Sequence, residues 1–147
     1  MSSNPQGPAL YFPTNDERTF ALLVYVLGVF SGFIAPLVLF LVKRDSKFVS
    51  FHALQSLAWH IIYLVIVFGA MFVLFVSMIF HGDFSPTERN ELPFVFFGFF
   101  AFLWLIVMGG WLVNVILGIV YGIRSNKGEW AQFPLFGGWI LRKIVFG

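Results

Sequence analysis

The 147-residue chain has no cysteine, which excludes disulfides, thiol catalysis and cysteine-ligated metal or iron–sulfur centres. Charge is scarce too: Asp, Glu, Lys and Arg together make up 11% of the residues. None occurs between Arg18 and Lys43, between Lys47 and Asp83, or between Glu91 and Arg124. Uncharged apolar runs of about 18 residues or more mark membrane-spanning helices, and three of them in so short a chain describe an integral membrane protein. The net charge of +2 is spread without a block or stripe, so no nucleic-acid partner is expected. Met1 to Asn15 contain no Lys or Arg, so the basic start of a cleavable signal is missing. Also missing are a nucleophile-with-base spacing, a phosphate-cradling glycine loop and paired carboxylates. The expectation is a protein that is not an enzyme and holds no cofactor or metal.

What the chain does have is apolar bulk: 59% hydrophobic residues, among them 21 phenylalanines. A water-soluble fold of this size could not hide so much, so lipid must cover part of it. The expected architecture is all-α, with a flexible polar tail over residues 1–17 and a single membrane domain over 18–147. Three transmembrane helices are expected, at about residues 19–42, 50–80 and 93–123, followed by an interfacial segment at 129–147. In the first, Gly28, Gly32 and Pro36 share one helical face, and Gly32–Pro36 is read as a kink or as a true break giving two half-helices. The last segment is interrupted by Pro134, Gly137 and Gly138 and is rich in Trp and Phe, which suits the headgroup layer.

The loops set the expected orientation. Lys43, Arg44 and Lys47 crowd the first connection, and Arg124, Lys127, Arg142 and Lys143 follow the third span. The second connection carries one Arg against three acids. Basic loops stay cytoplasmic, so a chain with three crossings has its N-terminus outside and its C-terminus in the cytoplasm. A re-entrant first segment would instead put the N-terminus inside. The seven basic residues are read as a docking or lipid-headgroup surface.

One face of the second span is polar. His52, Gln55, Ser56, Trp59, His60 and Tyr63 recur at helical spacing. The third span offers Gly110, Asn114, Gly118 and Gly122, one every four residues. Aligned as an antiparallel pair, the polar face is expected to pack on the glycine stripe, with Asn114 bonded to His60 or Ser56. The set reads first as structural glue. A proton or small-solute path through His52 and His60, or a cofactor or partner contact, remains open. The two histidines lie eight residues apart, roughly 12 Å along a helix, too far to share an ion unaided.

Three segments carry a resemblance. Asp16-Glu17-Arg18-Thr19-Phe20-Ala21-Leu22-Leu23, Lys43 to Leu57 (with Phe51-His52-Ala53-Leu54-Gln55-Ser56 at its core) and Asn126 to Leu135 (with Asn126-Lys127-Gly128-Glu129-Trp130) resemble the small bacterial membrane proteins of the DUF4870 family, described as similar to the chloroplast import component Tic20. The resemblance covers about residues 16–145 and implies a bacterial cytoplasmic-membrane protein. Tic20 similarity implies a helical component of a protein-conducting assembly, although Tic20 is usually described with four transmembrane helices. Phe133 stands where many members have a tyrosine. The functional expectation is an accessory or structural subunit that meets other membrane proteins, or a second copy of itself, through helix packing and a cytoplasmic docking surface. A transporter or channel component is the alternative, and a subunit shielding a redox or pigment cofactor a weaker one.

Overall fold

The computed structural model describes residues 11–81 and 92–145, and among them every regular element is helical. The helices are α1 (Asn15–Ser31), α2 (Ile34–Val42), α3 (Lys47–His81), α4 (Leu92–Asn126) and α5 (Gly137–Val145). The chain forms two compact units. One comprises Met1–Ile61 with Asn114–Gly147, the other Ile62–Val113. Residues 1–10, the body of the expected tail, and the connection 82–91 lie outside the described residues.

Among the described residues two helices, not three, are long and apolar enough to cross a membrane, at Lys47–Ser77 and Phe97–Asn126. Only 6% of the most apolar window of each is buried within the protein. The core helix of a soluble protein would bury most of such a window, so these faces are built for lipid.

The expected first span is instead a helical hairpin. Gly32 ends α1 at φ 63°, a backbone region that favours glycine. Pro36 occupies the first turn of α2, where its missing N–H would have had no intrahelical partner. The chain reverses between them. A Cβ on Gly28 would sit 3.4 Å from the Pro36 ring, and the Lys43 ammonium lies 4.2 Å from the Phe20 ring centroid, so α1 and α2 run antiparallel. A single helix from Thr19 to Val42, straight or kinked, is ruled out by these contacts.

The hairpin is fastened at its open end. Thr14 and Glu17 form a reciprocal capping box on α1. Glu17 also accepts hydrogen bonds from the Tyr11 hydroxyl and, at 2.6 Å, from Ser46 in the α2–α3 turn. Residues 11–17, expected to be flexible tail, are thus packed, with Tyr11 edge-on to Trp130 at 5.6 Å. The start of α1, the α2–α3 turn and the end of α4 lie together, since a Cβ on Gly128 would be 3.0 Å from Arg18 Nε. Gly128, at φ 83°, closes α4 with paired bonds from Gly128 N–H to Ser125 and from Glu129 N–H to Arg124.

The segment after α4 packs part of its length into the protein. Trp130, Ala131 and Phe133 are buried in the core of the first unit, and α5 then adds Ile140 and Leu141 to a cluster with Ala21, Phe48, Phe51 and Trp130. In the second unit the Tyr63 hydroxyl donates to the Val107 carbonyl at 2.9 Å.

Candidate functional site

The polar face of α3 enters the first unit as its most buried polar group. His52 and Gln55 have no exposed surface, and Ser56 and His60 are nearly closed off. Their partners are chiefly backbone. Gln55 Nε2 donates to Ala131 O at 2.9 Å, and the Phe133 N–H donates to Gln55 Oε1 at 2.9 Å. The side-chain amide therefore holds residues 131–133 as a neighbouring strand would, with one donor and one acceptor. A Cβ on Gly137 would lie 2.5 Å from Gln55 Oε1, so glycine is needed there for the chain to pass.

Tyr25 of α1 completes the clasp. Gln55 Nε2 donates to the Tyr25 hydroxyl at 3.0 Å, and that hydroxyl lies 3.0 Å from His52 Nδ1. His52 Nε2 is 3.2 Å from the Glu129 carbonyl. A carbonyl only accepts, so the imidazole proton belongs on Nε2, Nδ1 is left as acceptor, and the tyrosine donates to it. The direction runs without conflict from Gln55 through Tyr25 and His52 to Glu129. Every polar atom in this relay is used, and the imidazole is satisfied in its neutral form.

His60 makes a second tie. Its Nδ1 is 2.7 Å from the Ser56 carbonyl and its Nε2 3.1 Å from the Gly28 carbonyl, near the tip of the α1–α2 hairpin. Both partners accept only. A neutral ring satisfies one of them and an imidazolium both.

The structure brings the segments 43–57 and 126–135 into contact, and it redirects the expected glycine stripe. Gly118 and Gly122 face α1: a Cβ on Gly118 would come within 2.6 Å of Val29 Cγ2, and one on Gly122 within 3.1 Å of Leu22 Cδ1. In the second unit, Gly110 lies under the Tyr63 ring, where a Cβ would approach to 2.1 Å. The expected bond from Asn114 to His60 or Ser56 is absent among the described residues, both ring nitrogens of His60 being turned to the Ser56 and Gly28 carbonyls. Asn114 is half-buried on α4. The antiparallel register assumed for α3 and α4 left no room for α1, which takes Gly118 and Gly122, while Gly110 keeps the expected contact with Tyr63 of α3.

The seven basic residues read as a docking surface all belong to the first unit. Arg44, Lys47, Arg124, Lys127, Arg142 and Lys143 are exposed, while Lys43 is half-buried over Phe20. Arg124 pairs with Glu129 at 2.7 Å, a solvent-exposed bridge that contributes little stability. Tyr25 and Glu17 are the members that sequence reasoning missed. Tyr25 had a signal, as the only tyrosine inside the first apolar run. The backbone acceptors at Gly28, Glu129 and Ala131 carry none. Among the described residues no group of three or more His, Asp or Glu side chains could hold a metal ion.

Comparison with known proteins places the chain. The family model for magnetosome magnetite crystal formation proteins matches residues 16–140. A UPF0132 membrane protein of Methanocaldococcus jannaschii is 30% identical over 125 residues, covering 83% of each chain. No solved structure matches. These matches overturn the Tic20-like, DUF4870 resemblance: the segments that suggested it lie within the matched residues, and the family that matches them is a different one.

Proposed function

The chain belongs to the magnetosome magnetite crystal formation protein family, and from that premise we propose that it is a non-enzymatic accessory protein of a membrane assembly. The observation that carries this reading is the clasp of Tyr25, His52 and Gln55 on residues 129–133. Its donors and acceptors are spent on one another and on backbone, which suits a device that holds helices rather than one that turns over a substrate. The family's description ties its members to magnetite crystals. For this chain we carry over the membrane-embedded body and not the mineral. Glu17 is engaged by Tyr11, Thr14 and Ser46, and the archaeal relative is named only as a membrane protein.

On this reading α3 and α4 cross the membrane, and the α1–α2 hairpin enters it from one face and returns. Its outer side is apolar: Phe30 is 84% exposed, and Ile34, Val38 and Leu41 are exposed along α2. At nine residues α2 is only about 13 Å long, less than half of a roughly 30 Å hydrocarbon core. The basic end faces the cytoplasm, by the preference of Lys and Arg for that side. The N-terminus then joins the C-terminus there instead of lying outside.

The test is native mass spectrometry of the tagged protein extracted in mild detergent from its own membrane. A defined assembly with another membrane protein is the expected result. A lone monomer would contradict the accessory role.

A further inference from the structure

The face between α3 and α5 holds an open groove of about 340 Å³, lined by Leu54, Leu57, Ala58, Ile61, Trp139, Ile140 and Lys143. Its volume is within the range of ligand-binding clefts, about 300–1,000 Å³. Its wall is apolar except at one place, Lys143. Among the described residues this lysine joins no ion pair, and its ammonium is held 4.5 Å from the centroid of the exposed Trp139 ring. The other wall is α3, with Leu54, Leu57, Ala58 and Ile61, a helix long and apolar enough to cross the membrane. A single cation with an indole in an otherwise apolar groove beside a lipid-exposed helix is the pattern of a molecule with one anionic head and a hydrocarbon tail.

We propose that this groove is a binding site for one anionic phospholipid of the surrounding bilayer, with an acyl chain along Leu57, Ala58 and Ile61 and the phosphate on Lys143. Three features select that occupant over a protein helix or a second copy of the chain. The groove is continuous with a face that lipid must cover in any case. Its single charge is positive and lies beside an exposed indole, which an anionic lipid headgroup complements. The short helix α5 buries Ile140 and Leu141 and exposes Trp139, Arg142 and Lys143, the division of an interfacial helix at the headgroup level. The inference does not depend on the accessory role.

The full chain in mild detergent, titrated separately with phosphatidylglycerol and with phosphatidylcholine of the same acyl chains and read by native mass spectrometry, tests it. The first phosphatidylglycerol is expected to bind about fivefold tighter than phosphatidylcholine, the usual effect of one basic side chain on an anionic headgroup. Lys143→Gln should remove that preference, and Lys127→Gln, an equal charge change away from the groove, should leave it. Ile61→Trp, at an exposed position, should weaken first-site binding of both lipids. Equal affinity for the two lipids in the unmodified protein would overturn the proposal. So would an unchanged preference in Lys143→Gln, an equal loss in Lys127→Gln, or a dimer that Ile61→Trp dissociates while lipid binding stays the same.

Discussion

Gln55 is the residue on which the packed end turns. Replacing it with Leu keeps much of its volume but strands the Phe133 N–H and the Ala131 carbonyl in a dry core. Leaving buried groups unsatisfied costs about 1–3 kcal/mol each, so Gln55→Leu, which strands two, should lose about 2–6 kcal/mol and lower the melting temperature in detergent. An unchanged melting curve would show that the two bonds from Gln55 contribute nothing to holding residues 131–133. Glu17 gives a second residue-scale prediction. Burial alone would raise its carboxyl, but hydrogen bonds from Ser46, Tyr11 and Thr14 outweigh that and hold it below the ordinary 4.5. A lowered value in the folded state stabilises the fold above the unfolded value, so this contribution is lost as pH falls below about 4.5. Tyr11 has the opposite sense. Burial and the bond to Glu17 push its phenol up to about 12 from 10, so its contribution is complete below pH 10 and disappears as pH rises through about 12. Melting temperature followed against pH should show both limbs. Glu17→Gln should flatten the acid one and Tyr11→Phe the alkaline one.

At the scale of the element, the glycines of α4 divide by what they face. Gly118 meets Val29 and Gly122 meets Leu22, both on α1, while Gly98 and Gly109 have nothing within 4 Å. Gly118→Leu should overpack the α1–α4 contact and cost about 1–3 kcal/mol. Gly98→Ala and Gly109→Ala should be neutral or mildly stabilising, since Ala exceeds Gly in helix propensity by up to about 1 kcal/mol. Thermal unfolding of the three variants separates packing glycines from incidental ones, and equal effects at Gly98 and Gly118 would refute the division. These elements also show how far the sequence could be read. The charge-free runs mark α3 and α4 because composition alone decides whether a long helix suits lipid. Gly128 is legible as a helix stop because its cause is local. The hairpin was only half legible: Gly32 and Pro36 suit a kink as well as a reversal, and the choice is made by Ser46 on Glu17, Lys43 on Phe20 and Pro36 against Gly28. The polar stripe on α3 was visible, but its partners were not. His52 and Gln55 bond backbone more than seventy positions away, and backbone atoms leave no mark in a residue pattern.

For the whole molecule, the account makes the N-terminal segment, the α2–α3 turn and the end of α4 neighbours on one side of the membrane, with a hairpin between the first two that does not cross. Three crossings would place the N-terminal segment and the α2–α3 turn on opposite sides. The chain's lack of cysteine makes the distinction clean, because any introduced thiol is unique. Single cysteines at Phe12, Arg44 and Lys127, all exposed, serve as reporters. They would be treated with a membrane-impermeant maleimide in intact cells and again in inverted vesicles. The account predicts that all three are labelled from the same side. Labelling of Phe12→Cys from the side opposite to Arg44→Cys would contradict it.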